Sequence, residues 1–425
     1  MLLSMRPNSS IVRYILAVAA AAGSAYPVSA QSGDIQNGNA TSYRERAVCR
    51  YERGDKAGAV GDLNRAVGID PKDPAPYATR AFIRAAEGDQ KAAIADYSSA
   101  LEFSRNYANG YFGRGRARHR LRDYQGALAD LDQAIRLNPN CSWAYQERAG
   151  VRLDLRQTSA AIRDYTETIR LNPKGSSAYF GRAQAVGNSK QALDDYATTI
   201  SLAPKCAAAY YSRAHVRQSC GDNGGAIADF SQAIKLRGDV EDYHDLGSLR
   251  SDLGDHRGAI RDFNEATRHY PNFGPSYFIR GLDQCALGDN RAAIESFDRV
   301  IELNPEWLEA YEHRGHLRLE LGDRAGSISD FREAAECYYL RGRASAIVML
   351  QCAYARQYAL RDYTQAIELN PNHAGAYCER GYTLLYMGDT KRGFEDIGRA
   401  VMLDAKSSLI ALTDLVLHMV PWRST

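Results

Sequence analysis

The sequence predicts an all-α solenoid of about eleven helix-turn-helix units. Three observations predict this fold: a Tyr-x-x-Arg-(Ala/Gly) block that mostly returns every 34 residues, an Ala-Ile-x-Asp-aromatic block that follows it, and a proline that closes many units. A unit of this length cannot bury both of its faces alone. The 425 residues, 45% of them hydrophobic, are therefore expected to stack as repeats rather than to fold around one small core.

The first block marks the first helix of each unit. Its arginine is followed by Ala or Gly, as in Arg80-Ala81, and a small residue there lets the second helix approach closely. The tyrosine that opens the block fills the remaining space, and its burial contributes on the order of 2 kcal/mol. The block opens at Tyr43, Tyr77, Tyr111, Tyr145, Tyr179, Tyr210, Tyr277, Tyr311 and Tyr377.

The second block marks the second helix, for example at Ala93-Ile94-Ala95-Asp96-Tyr97. Between the blocks, a Gly-Asp pair predicts a tight turn, because glycine ends one helix in a left-handed conformation and aspartate caps the next. The glycines of these pairs are Gly54, Gly88, Gly221, Gly254, Gly288, Gly322 and Gly388. Prolines mark the exits at Pro71, Pro139, Pro173, Pro204, Pro271, Pro305 and Pro371.

Helix, tight turn, helix and proline exit is the pattern of the tetratricopeptide repeat family, which this chain resembles over about residues 40–405. The resemblance implies a right-handed superhelix whose concave inner groove is lined by the first helices, with protein or peptide ligands bound there. The chain departs from the family at its arginine, because leucine is commoner at that position. The Lys and Asn residues with which some members clamp a C-terminal carboxylate are absent from the predicted inner rows.

The arginine of the first block is expected to pair with the aspartate of the second. Nine units carry the arginine, at Arg46, Arg80, Arg114, Arg148, Arg182, Arg213, Arg280, Arg314 and Arg380. Matching aspartates include Asp62, Asp96, Asp130, Asp164, Asp195, Asp229, Asp330 and Asp396. Since a buried charge needs an opposite one, we predict an Arg–Asp ladder between the paired helices. An anion site lined by these arginines is the alternative interpretation.

Two departures from the period are expected to change the helices. Between Ala183 and Ala192 the spacing is three residues short, so the first helix of that unit should lose nearly a turn. Within residues 335–357, the block that opens at Tyr338 arrives early and without a preceding Asn-Pro exit. We expect a helix break near Gly342 that kinks or hinges the solenoid there, and the alternative is a harmless insertion.

The N-terminal segment has the pattern of a secretory signal peptide. Arg6 and Arg13 make a basic start, and Ile11 to Ala22 is an apolar run. Small residues at Val28 and Ala30 fit a cleavage point after Ala30. An uncleaved anchor and a misassigned start are the alternatives. The predicted divisions are a signal peptide (1–30), a linker (31–39), the solenoid (40–405), and a capping helix with a tail (406–425). A cleaved signal predicts a periplasmic or secreted protein.

Residues 407–422 are expected to form the last helix, and apolar side chains run almost all round it. One interpretation is a plain cap that closes the stack. The other is an interaction surface, either for a homodimer or for a docking partner, because exposed apolar patches often mark such surfaces.

The groove residues follow from the register of the first helices, one and five positions after the opening tyrosine. Aromatic and polar side chains share these rows, which favours an extended segment or a helix held by apolar anchors and a few hydrogen bonds. The candidate peptide-binding residues are Phe82, Phe112, Arg116, Gln146, Phe180, Gln184, Tyr211, His215, His244, Phe278, His316 and Tyr382. In the tenth unit we expect Ala344 and Val348 on these rows. The alternative is a solvated face, with the partner docking elsewhere.

The charge balance argues against two other classes of partner. Without the first thirty residues, 51 basic residues balance 51 acidic ones, which disfavours nucleic acid and anionic membranes. No later apolar stretch is long enough to span a bilayer, so we expect no stable membrane insertion after signal cleavage.

The residues that could support catalysis or metal binding are few. No nucleotide-binding, hydrolase or metalloprotease motif is present, so we expect neither an enzyme nor a cofactor. His313 with His316, or His215 with His244, would make only an incomplete metal site. The eight cysteines show no CxxC spacing and are expected to be buried free thiols, with a disulfide framework as the weaker alternative.

Together these features predict an exported scaffold or adaptor that binds proteins or peptides through its groove, in a cell-envelope or secretion assembly. A self-assembling structural element, joined through the apolar C-terminal helix, is the first alternative. A metal-dependent activity in the units that carry histidine is the second.

Overall fold

The computed structural model of the chain describes residues 39–347 and 353–404. The predicted signal peptide, nearly all of the linker, and the C-terminal helix and tail (406–425) lie outside the described residues. Within them, all regular secondary structure is α-helix, so the predicted all-α helical repeat solenoid is confirmed. The right-handed superhelix stays a prediction.

The described residues form 21 helices, which we number α1 to α21. Their bounds are α1 Ala40–Glu52, α2 Lys56–Ile69, α3 Pro74–Ala86, α4 Gln90–Phe103, α5 Ala108–Arg120, α6 Tyr124–Leu137, α7 Ser142–Asp154, α8 Thr158–Leu171, α9 Ser176–Val186, α10 Lys190–Leu202, α11 Ala207–Ser219, α12 Asn223–Leu236, α13 Val240–Asp252, α14 His256–His269, α15 Gly274–Ala286, α16 Asn290–Leu303, α17 Leu308–Glu320, α18 Arg324–Ile347, α19 Ala353–Leu369, α20 Ala374–Tyr386 and α21 Thr390–Leu403.

Consecutive helices pair into hairpins that we call repeats. Repeat 1 is α1 with α2, and the pairs continue in order to repeat 8, which is α15 with α16. Repeat 9 is α17 with the first part of α18, repeat 10 is the second part of α18 with α19, and repeat 11 is α20 with α21. The chain also divides into two compact units, one ending at Asp229 and the other beginning at Phe230, within α12.

The Gly-Asp turns have the predicted geometry. Gly54 has a φ of +87°, which favours glycine, and the Asp55 carboxylate accepts a hydrogen bond from the backbone N–H of Gly58 at 2.9 Å. Repeats 3 and 4 lack the glycine, and Arg122 and Arg156 adopt the left-handed conformation there, with φ of +62° and +58°. The turn is thus kept even where its preferred residue is missing.

The core of each repeat lies between the small residues of the first helix and an aromatic or leucine side chain of the second. In repeat 2, Ala81 and Ala93 are fully buried beside Tyr97. The Tyr97 ring also reaches the next first helix, where a Cβ atom on Gly113 would lie 2.6 Å from its hydroxyl oxygen. Gly181 receives the Tyr165 ring in the same way. At these two boundaries, the packing therefore couples one repeat to the next.

The first helix of the shortened unit is shorter, as predicted, but by two residues rather than by nearly a turn. Helix α9 has 11 residues, whereas the other separate first helices have 13. Arg182 and Asp195 are consequently 13 positions apart, yet their side chains remain paired at 2.8 Å. The first helix loses two residues, about half a turn, at the end that leads into the turn, and the second helix α10 has 13 residues instead of 14.

The predicted break near Gly342 is wrong. Helix α18 continues from Arg324 to Ile347, and Gly342 is a buried residue within it. A Cβ atom there would lie 2.6 Å from the Tyr363 ring, so this glycine serves close packing rather than a turn. Because no Asn-Pro exit interrupts the chain, the second helix of repeat 9 continues directly into the first helix of repeat 10.

Candidate functional site

The predicted Arg–Asp ladder is present. In repeat 4, Nη2 and Nε of Arg148 donate to the two carboxylate oxygens of Asp164 at 2.6 and 2.9 Å. Two-point pairs of this kind join Arg46–Asp62, Arg80–Asp96, Arg114–Asp130, Arg148–Asp164, Arg182–Asp195, Arg213–Asp229, Arg314–Asp330, Arg341–Asp362 and Arg380–Asp396. Such bidentate, charge-assisted hydrogen bonds fix the two helices of a repeat against each other.

A second arginine, four residues after the first, contacts the same aspartate. In repeat 4, Nη1 of Arg152 donates to Asp164 at 2.6 Å, and Asp164 is only 3% exposed. The equivalent pairs are Arg84–Asp96, Arg118–Asp130, Arg217–Asp229 and Arg318–Asp330. The sequence analysis did not identify these arginines, although their regular spacing of 12 residues from each aspartate was a readable signal.

The ladder arginine also reaches back to the preceding repeat. Nη1 of Arg148 donates to Asp132 of α6 at 2.6 Å, and Nη1 of Arg80 donates to Asn64 of α2 at 2.7 Å. The guanidinium of Arg148 additionally lies over the Tyr145 ring, 5.4 Å from its centroid. One side chain therefore connects three helices of two repeats, which favours the architectural interpretation of these arginines over the anion site.

Repeats 7 and 8 depart from the ladder. Repeat 7 has Leu246 in place of the first arginine, and Arg250 pairs with Asp262 instead. In repeat 8, Nε of Arg280 donates to the Ser296 hydroxyl at 3.1 Å, because no aspartate stands there. Burial without an adjacent carboxylate lowers the pKa of Arg280.

The aromatic candidate residues are half-buried and belong partly to the core. Phe180 packs edge-on against Tyr196 of its own repeat, with ring centroids 5.7 Å apart. Phe278 stacks on Trp307 at 5.2 Å, and Phe112 packs on the cluster around Leu131. Phe82 similarly contacts Tyr51, at 6.4 Å. These rings contribute to the packing of the repeats and remain partly exposed to solvent.

Several polar candidates are held by neighbouring side chains. Gln146 accepts a hydrogen bond from the Ser177 hydroxyl at 3.0 Å. Tyr211 and His215 pack against each other in an edge-to-face arrangement, with centroids 4.6 Å apart. His244 lies 3.1 Å from the Ser276 hydroxyl, and burial lowers its pKa. These side chains are oriented before any ligand arrives.

Three candidates on the row five positions after the tyrosine are less constrained. Within the described ranges, Arg116, Gln184 and His316 make no hydrogen bond or ion pair, and Gln184 and His316 are exposed. Tyr382 differs from them, because only 7% of it is exposed. Tyr382, the last residue of this row, is therefore less accessible to a ligand than Gln184 and His316 are.

The expected register is wrong in repeat 10. The Arg341–Asp362 pair, at 2.8 Å, identifies Tyr338 as the opening tyrosine of this repeat. Counted from this tyrosine, the positions one and five residues later are Tyr339 and Arg343; Val348 and the side chain of Ala344 lie outside the part of the chain that the structure describes. The error arose because the spacing was continued at 34 residues, whereas Arg341 and Asp362 are 21 apart instead of the usual 16.

A histidine that the sequence analysis missed joins repeats 3 and 4. The Nδ1 atom of His119 lies 2.7 Å from Glu147, and its Nε2 atom lies 2.9 Å from Asp154. Gly150 lies between these two carboxylates on α7, and a Cβ atom there would approach the imidazole to 3.5 Å. The hydrogen bond to Glu147, followed by that to Asp154, raises the pKa of His119. No motif marks this contact, because only one repeat has it.

Charge is segregated along the chain. Residues 40–229 contain 28 Lys and Arg against 21 Asp and Glu, a net charge of +7. Residues 230–404 contain 21 against 28, a net charge of −7. The net charge of zero without the first thirty residues is therefore the sum of a basic stretch and an acidic stretch.

The described residues offer no arrangement for a metal ion: no three His, Cys, Asp or Glu side chains are grouped to hold one. None of the helices in the described ranges is long and apolar enough to cross a bilayer. The seven cysteines in these ranges are free thiols, but only Cys378 is buried, whereas we expected burial of all.

Comparison with known proteins identifies the repeat. Tetratricopeptide repeat models match residues 108–141, 207–239, 280–340 and 362–394. No curated protein matches the chain. Among solved structures, YrrB, described as a TPR protein with an unusual peptide-binding site, is 22% identical, and the match covers 42% of this chain and 93% of that one, with a TM-score of 0.37.

Two further structures are similar over parts of the chain. Pseudomonas aeruginosa PilF is 20% identical, with 49% of this chain and 96% of that one covered and a TM-score of 0.45. A tetratricopeptide repeat protein from Parabacteroides merdae is 22% identical, with 58% and 98% covered and a TM-score of 0.42.

Proposed function

Since the chain is a tetratricopeptide repeat protein, we propose that it is a scaffold that binds segments of partner proteins on its first-helix face, the surface formed by the first helices of the repeats. Repeats of this family support protein–protein interaction and are generally not enzymatic. The finer assignment to the first helices rests on the geometry of their side chains.

One contrast carries the proposal. The arginines three positions after the tyrosine, such as Arg114, form ion pairs inside the repeat. Arg116, only two residues further along α5, forms no hydrogen bond or ion pair to any described residue, and Gln184 on α9 likewise makes none. Polar groups that are positioned by a rigid helix but not used in packing are available to a ligand, beside the accessible edges of Phe112 and Phe180.

The proposal is tested with peptides selected against the full chain from a random library displayed on phage. We expect the double variant Arg116→Ala, Gln184→Ala to bind the selected peptides at least about tenfold more weakly, because two oriented hydrogen-bonding groups are lost. The matched control is Arg163→Ala, Gln191→Ala, which removes the same side chains from exposed positions on the second helices α8 and α10. Equal binding by the two double variants contradicts the proposal.

We further propose that the scaffold works outside the cytoplasm, in a cell-envelope or secretion assembly. The basic start, the apolar run and the small residues before Gln31 support export. N-terminal sequencing of the full chain recovered from a bacterial periplasm should find Gln31 as the first residue. A cytoplasmic protein that retains its first thirty residues would contradict export.

A further inference from the structure

We infer that the first-helix face of repeats 9 to 11 binds a cationic segment of a partner protein, one that carries arginine or lysine side chains. This inference rests on the proposed function and names the chemistry of the partner at one end of the chain. The binding groups are Glu309 and Glu312 on α17 and Glu379 on α20, together with two tyrosines beside them.

Glutamates recur on three consecutive first helices of the second compact unit. Glu309 and Glu312 lie on α17, Glu336 lies on α18 just before Tyr338, and Glu379 lies on α20. Glu309 is exposed, whereas Glu312 and Glu379 are half-buried. The first helices at this end therefore present carboxylates, where those of repeats 3 and 5 present Arg116 and Gln184.

Among the described residues, no arginine lies as close to Glu309, Glu312 or Glu379 as the arginines of the ladder lie to their aspartates. Arg341 approaches Glu309 only to 4.0 Å, because its other nitrogens are bound to Asp362. Arg343 approaches Glu379 only to 3.9 Å. The ladder aspartates, by comparison, receive guanidinium nitrogens at 2.6 to 2.8 Å. Glu336 is the exception, since His373 lies 3.1 Å away.

Two of the glutamates are also poorly solvated. Burial is the main cause that raises the pKa of Glu312; a hydrogen bond from the Tyr338 hydroxyl opposes the shift, and the negative charge of Glu309 adds to it. Burial likewise raises the pKa of Glu379, with the Arg343 charge opposing the shift. A carboxylate that has lost water without gaining a close cation is stabilised when a ligand supplies one.

A buried hydroxyl beside Glu379 gives an independent indication of a ligand. Tyr363 of α19 is fully buried, and its hydroxyl has no hydrogen-bond partner in the described ranges. The equivalent rings, Tyr97 and Tyr165, end against Gly113 and Gly181 of the next first helix.

In repeat 10 the facing position is Glu379 instead of glycine. Glu379 thus occupies the position that corresponds to Gly113 and Gly181, and its charge contributes, after burial, to a raised pKa of Tyr363. A buried polar group without a partner is costly, and an ammonium or guanidinium group held between the two would donate hydrogen bonds to the hydroxyl oxygen of Tyr363 and to the carboxylate of Glu379.

Aromatic rings and net charge complete the match to a cation. Tyr339 is half-buried on the same face and lies 6.3 Å from the Tyr363 ring. The guanidinium of Arg343 already lies over Tyr339, 5.8 Å from its centroid, so this ring accommodates a cation. Residues 230–404 have a net charge of −7, which attracts a cationic segment over a distance. The chemistry thus selects a basic partner and disfavours an acidic one.

The test is fluorescence anisotropy of the full chain with a labelled 12-residue peptide of alternating arginine and alanine. The double variant Glu312→Gln, Glu379→Gln keeps the shape of both side chains, and we expect its affinity to fall by at least about tenfold. The control is Glu333→Gln, Glu395→Gln, which removes two charges from exposed positions on the second helices of repeats 9 and 11. Its affinity should change less than about twofold. A matched peptide of glutamate and alanine should not bind.

Equal affinity of the wild type and the Glu312 and Glu379 variant overturns the inference, and so does an equal loss in the control, which would reveal unspecific charge attraction. Thermal unfolding of each variant establishes that the fold is retained, and the single variants serve if the double variant melts early. If the arginine peptide ignores these glutamates while the phage-selected peptides still need Arg116 and Gln184, this inference fails and the proposed function stands.

Discussion

In repeat 4, Arg148 and Arg152 of the first helix both contact Asp164 of the second, whereas in repeat 8 Arg280 contacts the hydroxyl of Ser296. Ser296 in turn donates to the side-chain oxygen of Gln284, which stands where repeat 4 has its second arginine. The first helices of both repeats have 13 residues and the second helices 14. The hairpin is therefore the same although its central contact changes from an ion pair to a hydrogen bond between an arginine and an uncharged hydroxyl.

The ion pair is therefore not required to form the hairpin. Repeat 8 is held by rings: Phe297 is fully buried and packs against Phe278 at 5.7 Å and against His313 at 5.4 Å. Such packing stabilises both repeats, and the aspartate of repeat 4 offsets the cost of burying two arginines. Loss of a carboxylate should therefore lower the free energy of unfolding most in the repeats where two arginines share one aspartate.

The largest expected effect comes from Asp164→Ala. It leaves Arg148 and Arg152 without their shared carboxylate, and we expect the free energy of unfolding to fall by about 3 kcal/mol. Ser296→Ala in repeat 8 removes an uncharged hydrogen-bond partner of Arg280 and should cost less, about 1.5 kcal/mol. Urea unfolding followed by circular dichroism measures both. Equal losses would remove the distinction between the two repeats.

The contact between repeats 3 and 4 is expected to depend on pH, because His119 lies between Glu147 and Asp154. Its pKa is raised in the folded protein, so the stabilisation is complete below the unfolded pKa of about 6.5 and is lost as the pH rises through the folded value. His119→Asn should thus cost about 1.5 kcal/mol near pH 6, where the carboxylates remain ionised.

The same variant should cost little at alkaline pH, where His119 is neutral in both states. Urea unfolding at several pH values compares the variant with the wild type. The charged groups that face the ring are Glu147 and Asp154 of α7, and Tyr124 of α6 packs on it at 6.1 Å. A pH-independent loss would mean that the ring contributes through packing alone.

Transplanting the ladder into repeat 8 should strengthen it. Ser296→Asp places a carboxylate beside Arg280, whose pKa is lowered by burial, and we expect a gain of about 1 kcal/mol in the free energy of unfolding. Ser296→Asn adds nearly the same volume without charge and is the control. A gain in the asparagine variant as well would attribute the effect to packing.

The smallest effects are expected at the turns of the same two repeats. Arg156 in repeat 4 has a φ of +58°, and Arg156→Gly should relieve strain and stabilise by about 0.5 kcal/mol. Gly288 in repeat 8 has a φ of +76°, so Gly288→Ala should destabilise by about 1 kcal/mol. Thermal unfolding detects both. Opposite signs would show that other contacts of the turns dominate.

The features that could be predicted from the sequence are those written in local spacing. The Gly54-Asp55 turn, the Arg148–Asp164 pair and the short helix α9 each depend on a few neighbouring positions of one repeat. The contact of Arg148 with Asp132 depends on how neighbouring repeats pack, so it was missed although it also recurs at a constant spacing of 16.

Two other features were missed for different physical reasons. The predicted break at Gly342 treated a recurring block as a new helix, but a helix continues unless proline or an exposed turn interrupts it, and neither precedes Tyr338. The His119 contact involves side chains that occur once, so repetition gives no signal for it. Of the candidate binding residues, sequence could give the register, while the burial of Tyr382 and the pairing of Gln146 needed coordinates.

Helix α18 gives one boundary of this array a distinct mechanical character. Elsewhere a repeat can detach from its neighbour by opening an irregular link, so unravelling can advance one hairpin at a time. Repeats 9 and 10 share a continuous rod from Arg324 to Ile347, and neither can come loose unless hydrogen bonds of that rod are broken. When the chain is pulled from its C-terminal end, unfolding should therefore require a higher force at helix α18, and repeats 9 and 10 should unfold together in one larger step.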